Sequence, residues 1–121
     1  MELQKIKGDF TVCKVDHIGQ IDFTREFVFL SKTDDEISLV CESNYTPSNV
    51  IESEDDWRAL RISGTLDFEM IGVIAKIANI LAENDISIFV ISTYNTDYIF
   101  IKSMNFNKAI QLLICNGYVI K

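Results

Sequence analysis

Three cysteines, one histidine and a set of carboxylates are the residues of this chain that could do covalent or metal chemistry. Cys13, Cys41 and Cys115 are odd in number, widely spaced and each set in an apolar stretch, and His17 is the only imidazole. A zinc site needs ligands a few residues apart, and a catalytic thiol needs a base placed beside it. Neither pattern occurs, so the three are expected to be reduced, mostly buried thiols of a cytoplasmic protein, with no metal and no cofactor. The sequence also lacks a phosphate-binding glycine loop and a dinucleotide fingerprint, which leaves no expectation of an enzyme.

Charge narrows the partners. Formal net charge is −7, and it is lopsided: residues 1–56 hold 13 Asp/Glu against 5 Lys/Arg, residues 57–121 hold 5 against 6. Nucleic acid is excluded as a partner, since phosphate recognition needs a basic face. The acidic half, with Asp34 and Asp35 in one turn, either attracts cationic ligands or keeps the chain soluble. No run of eighteen apolar residues occurs and Met1–Phe10 is polar, so neither a membrane span nor a secretory leader is expected.

The elements that would position these residues follow from periodicity. Asp9–Val15 alternates and predicts a strand. Phe27–Ser31 and Ile37–Cys41, around Thr33–Glu36, predict a hairpin. Residues 42–56, with Pro47 and the acids 52–56, predict a connector between a unit 1–56 and a unit 57–121. Trp57–Ile62 alternates. Asp67 would cap a helix over 67–83, whose inner stripe is Met70, Ile71, Ile74, Ile77, Ala78 and Leu81. Ile86–Tyr94, apolar on both faces, predicts a central or well-covered strand, and Tyr98–Lys102 returns as its partner. Asn105 would cap a second helix with Phe106, Ala109, Ile110 and Leu113 inward, stopped by Asn116-Gly117 ahead of a last strand at 118–120.

The second half therefore reads as a ferredoxin-like βαββαβ unit, α+β, with both helices on one face of a four-stranded antiparallel sheet. The first half reads as the same unit with abbreviated helices. Leu30–Val40 laid on Ile91–Ile101, Ser31 over Ser92, supports a tandem pair, although any two hairpins share some of this likeness.

Gly64-Thr-Leu-Asp-Phe68, Gly72-Val-Ile-Ala-Lys-Ile77, Leu81–Ser87 and Ile91–Asp97 together resemble ACT domains, the regulatory modules of aspartate kinases and other enzymes of amino-acid metabolism. The closer resemblance is to small tandem-ACT proteins, bacterial relatives of the CASTOR arginine sensors. It is specific over 57–103 and looser over 9–41. It implies a non-enzymatic regulatory protein binding a free amino acid where one unit meets another, with the loop Ser63–Gly72 and the strand start Ile86–Phe89 as the binding elements. The site residues so implied are Ser63, Gly64, Asp67, Phe68, Ile71, Gly72, Ser87 and Ile88. Gly64 allows close backbone approach and the helix N-terminus suits a carboxylate. Asp67 would either meet the α-amino group or only cap the helix. If the ligand's side chain reaches the acidic turn, Asp34 joins the site and cationic amino acids are favoured. A homodimer is expected, because the free face or edges of the sheet need cover, and the signal must pass to another protein chain. The alternative is a structural or interaction module that kept the fold without a ligand.

Overall fold

The computed structural model describes residues 1–64 and 71–121. In chain order they form β1 (Glu2–Val15), β2 (Val28–Lys32), β3 (Ile37–Glu42), a 3-10 turn (Ser43–Tyr45), β4 (Val50–Ile62), α1 (Val73–Ala82), β5 (Ile88–Ser92), β6 (Asp97–Lys102), α2 (Ser103–Cys115) and β7 (Val119–Ile120). Two compact units result. One, the helical unit, contains Met1–Lys7 and Arg58–Lys121; the other, the sheet unit, contains Gly8–Trp57. The long strands β1 and β4 each contribute to both. A left-handed residue stands beside each passage, Gly8 at φ +101 and Asp56 at φ +69, conformations that glycine and aspartate tolerate best.

In the sheet unit the strands lie in the order β2-β3-β1-β4. Val12 faces Val40 and Val15 faces Ile37 across β1 and β3, and Val28 faces Cys41 across β2 and β3. Alternation then puts Cys13, Val15, Leu39 and Cys41 on one face, packed with Ile21, Val28, Ile37 and Val50. A loop over 16–27 and the single turn Ser43–Tyr45 stand where a βαββαβ unit would carry helices. The acidic run 52–56 is not a connector: it lies inside β4. Strands usually disfavour such residues, but most of these side chains are exposed and stay hydrated. Asp55 takes a 2.6 Å hydrogen bond from the buried Thr11 hydroxyl.

The helical unit has the order β5-β6-β4-β1, with β7 paired in parallel to β1. A plain βαββαβ unit would set the last strand directly beside the strand 57–62; here residues 2–7 stand between them. The period-two pattern gave no hint of this strand, because its buried residues Leu3 and Ile6 are three apart. Leu60, Ile62, Ile99 and Ile101 form the face on which both helices pack, through Ile77 and Leu81 of α1 and Phe106, Ala109, Ile110 and Leu113 of α2. The α+β architecture with helices on one face of a mostly antiparallel sheet is thus present.

Three expectations shift. α1 begins at Val73, because Gly72 adopts φ +76 and cannot continue a right-handed helix backward; Ile71, assigned to the inner stripe, is 96% exposed. Asp67, its expected cap, lies outside the described residues. α2 starts at Ser103, two residues before the expected Asn105 cap, and ends as expected at Asn116 and Gly117 (φ +91). β5 spans five residues and forms the edge of the sheet rather than its centre. Its apolar faces are only partly covered: Ile88 and Val90 pack on the core, and Phe89 stacks on Phe100 at 4.6 Å.

Candidate functional site

The residues implied as a site flank α1. Ser63 and Gly64 (φ +78) follow β4, and Ile71 and Gly72 precede α1; Asp67 and Phe68 lie outside the described residues. Ser87 and Ile88 come after α1 has ended at Ala82. At 1.5 Å per residue, ten helical residues span about 15 Å. Gly72 and Ser87 of one unit therefore sit at opposite ends of the helix, too far apart to hold one small ligand together.

Each end has its own cavity. Gly64 lines a polar one of about 280 Å³ with Gln4, Arg61, Thr93, Asn95 and Tyr98. There the Arg61 guanidinium donates from Nε to Gln4 Oε1 at 3.1 Å and from Nη1 to Tyr98 Oη at 3.3 Å. Nearby, Thr96 is buried and donates to the carbonyl of Ile62 at 2.9 Å, which ties the β5–β6 hairpin to the end of β4. The Ser63 amide donates to the Glu2 carbonyl at 3.0 Å, while its buried hydroxyl has no partner among the described residues.

Ile71 and Gly72 line a second cavity, of about 240 Å³, with Val73, Lys76, Gly117 and Tyr118. It opens at the N-terminus of α1, where the first-turn amides have no carbonyl within the helix to bond. Among the described residues Gly72 brings no side-chain cap and the first turn no acid. Lys76 Nζ stands 6.0 Å from the centre of the Tyr118 ring. Burial pushes the Tyr118 phenol up from its ordinary range, which keeps it a neutral hydrogen-bond donor.

Ser87 and Ile88 line an open groove of about 490 Å³ with Ala78, Ala82, Asp85 and Ile86. Asp34 is in the exposed β2–β3 turn of the sheet unit, where the Asp35 and Glu36 amides bond the Thr33 hydroxyl. It lines none of these cavities. The acidic groove of the sheet unit is formed instead by Glu36, Glu52 and Glu54 around Lys14.

Arg61, Lys76 and Tyr118 were not singled out from the sequence. Lys76 had a visible signal, as the only charge between 71 and 82. Tyr118 had none, since it reaches the cavity only through the packing of β7. His17 is exposed and bonds the Gly19 amide. Cys13 and Cys41 are buried, whereas Cys115, also expected inside, is exposed. Among the described residues no group of three His, Cys, Asp or Glu could hold a metal ion, and no helix is long and apolar enough to cross a membrane.

The model of the ACT domain matches residues 52–114, from within β4 almost to the end of α2. The chain belongs to the ACT domain family. Over 71 residues it is 37% identical to the human cytosolic arginine sensor for mTORC1, subunit 1, a match that takes in 55% of this chain and 22% of that protein. The chain thus matches about a fifth of that relative's length. A solved protein from Agrobacterium tumefaciens superposes with a TM-score of 0.87 at 26% identity, covering 99% of this chain and 91% of that one. The regulatory subunit of aspartate kinase from Thermus thermophilus superposes with a TM-score of 0.61 at 9% identity over 91% of this chain and 93% of that one, a likeness of fold. This ACT chain shares its regulatory fold with domains of amino-acid sensors and aspartate kinases. The match begins inside β4 and includes Gly64, Gly72, Lys76 and Ser87, so both ends of α1 fall within it.

Proposed function

We propose that the chain is a non-enzymatic, cytoplasmic regulatory protein that binds a free amino acid. Its two units, Gly8–Trp57 and Met1–Lys7 with Arg58–Lys121, serve as tandem ACT-like units. The ligand lies against Ser63, Gly64, Asp67, Phe68, Ile71 and Gly72, with Ser87 and Ile88 contributed by a second unit or a second copy. The separation of Gly72 and Ser87 at the two ends of α1 is the observation that carries this reading. Residues that one unit cannot bring to the same small molecule become neighbours only when another unit supplies one of the two groups. The β5 edge, apolar on both faces and unpaired on its outer side among the described residues, suits contact with a second copy. Asp34 joins the site if the ligand's side chain reaches the acidic turn, which favours cationic amino acids.

A screen of the full chain by thermal shift against the twenty amino acids tests the proposal. A ligand at about 100 times its dissociation constant adds roughly 2.7 kcal/mol of stability, enough to move the melting temperature by several degrees. A flat result with all twenty leaves the structural-module alternative in its place.

A further inference from the structure

We infer that Cys13 and Cys41 are a redox-sensitive pair in the sheet unit, reduced in this structure and closed to a disulfide between β1 and β3 by a hydroperoxide. The inference needs no ligand and stands apart from the amino-acid-binding reading. The two residues lie on neighbouring antiparallel strands, where Thr11 faces Cys41 and Cys13 faces Leu39. They are therefore diagonal neighbours on one face of the sheet. Both are buried in the same small core with Val15 and Leu39, and the Cys13 thiol donates a hydrogen bond to the Cys41 sulfur. Cys115 belongs to the other unit.

Cys41 reacts first. Burial pushes both thiols up, but at Cys41 the hydrogen bond from Cys13 opposes it and supports the thiolate. That thiolate attacks a peroxide oxygen during a local opening of the unit. The O–O bond breaks, Cys41 becomes a sulfenic acid, and the leaving hydroxide takes up the thiol proton as water. The Cys13 sulfur then attacks the Cys41 sulfur, the S–O bond breaks, and a second water leaves with the Cys13 proton. Two thiols and one hydrogen peroxide give one disulfide and two waters.

Closing the bond moves the strands. Diagonal partners have Cα atoms about 7–8 Å apart, whereas a disulfide needs them within about 7 Å. β1 and β3 must draw together, and strained disulfides of this kind are the readily reduced ones that suit reversible control. Cys41 passes the movement to Glu42, whose carboxylate takes a hydrogen bond from Arg25 Nε at 3.3 Å. The Arg25 guanidinium in turn lies 3.9 Å from the centre of the Tyr45 ring. These contacts hold the loop 16–27 against the turn Ser43–Tyr45, so oxidation loosens that loop.

The test exposes the dilute, folded full chain to hydrogen peroxide, alkylates the remaining thiols in urea and maps the peptides by mass spectrometry without reduction. A Cys13–Cys41 peptide is expected, two hydrogens lighter than its separate halves and restored by dithiothreitol. A chain oxidised in urea should instead give a mixture that includes links to Cys115. Cys115→Ser should leave the Cys13–Cys41 link unchanged. With dimedone present, Cys13→Ala should carry the sulfenic-acid adduct on Cys41, and Cys41→Ala should carry none on Cys13. Hydrogen exchange over residues 16–27 should be faster in the linked chain than in the reduced one. Cys13 and Cys41 that stay alkylatable, or that pass to sulfinic acids without linking, overturn the pair. A linked chain whose loop 16–27 exchanges no faster overturns the switch.

Discussion

The Thr96 hydroxyl donates to the Ile62 carbonyl at 2.9 Å, joining the tip of the β5–β6 hairpin to the last residue of β4. The site loop leaves the sheet at the next residue, so this bond anchors its first end. Thr96 also closes its own hairpin, accepting at its carbonyl from the Thr93 amide at 2.9 Å. Thr96→Val keeps the shape and removes the donor, leaving a buried carbonyl short of a partner. Chemical denaturation should show a loss of about 1–3 kcal/mol, with Thr96→Ser retaining most of it. A Thr96→Val loss below about 0.5 kcal/mol would show that the bond contributes nothing net.

Ile77 is fully buried between α1 and the sheet. Ile77→Ala should cost about 2–5 kcal/mol in unfolding free energy. Ile71→Ala should change stability by less than about 0.5 kcal/mol, because Ile71 is exposed outside the helix. Equal effects of the two would mean that α1 starts earlier than Val73.

Asp56 holds a left-handed conformation within β4. Asp56→Gly should stabilise the protein by up to about 1 kcal/mol, and Asp56→Val should destabilise it by more than that. Unfolding midpoints of the two variants moving in the same direction would contradict the strain account.

The thiols should separate by accessibility. At pH 8 a disulfide reagent such as DTNB should label one cysteine per native chain rapidly, Cys115, and all three after denaturation. Burial, with Cys41 alongside, pushes the Cys13 thiol from 9.0 up to about 11. Between those values the unfolded chain has released a proton that the folded chain retains. Stability from this group is therefore complete below pH 9 and is lost as pH rises toward 11, by on the order of 1–3 kcal/mol. Cys13→Ala should flatten that part of the stability curve relative to wild type; an unchanged slope would dismiss Cys13 as its source.

Periodicity found α2 because Phe106, Ala109, Ile110 and Leu113 recur at helical spacing before a glycine stop, and all four are buried. It misplaced the start of α1, where apolar Met70 and Ile71 extend the pattern past a glycine whose φ is set by the fold. It passed over residues 2–7 because Leu3 and Ile6 do not alternate, and it read the acids of β4 as a linker because their charge masks a strand held by pairing. The hairpin likeness was real but one residue out of register. Thr33 donates to the Glu36 carbonyl as Thr93 does to that of Thr96, and Lys32 pairs Ile37 as Ser92 pairs Asp97, so Thr33 corresponds to Thr93 and Ser31 does not correspond to Ser92. At the candidate site, Gly64 and Gly72 were legible as turn residues. Arg61 and Tyr118 were not, because their roles arise from strands far apart in the sequence.

Isothermal titration of the full chain with each of the twenty free amino acids tests the central claim most directly. Saturable heat is expected with at least one of them, reduced by Asp67→Ala if that side chain meets the α-amino group. Absence of heat with all twenty, from a chain shown to be folded by its melting transition, would contradict amino-acid binding outright.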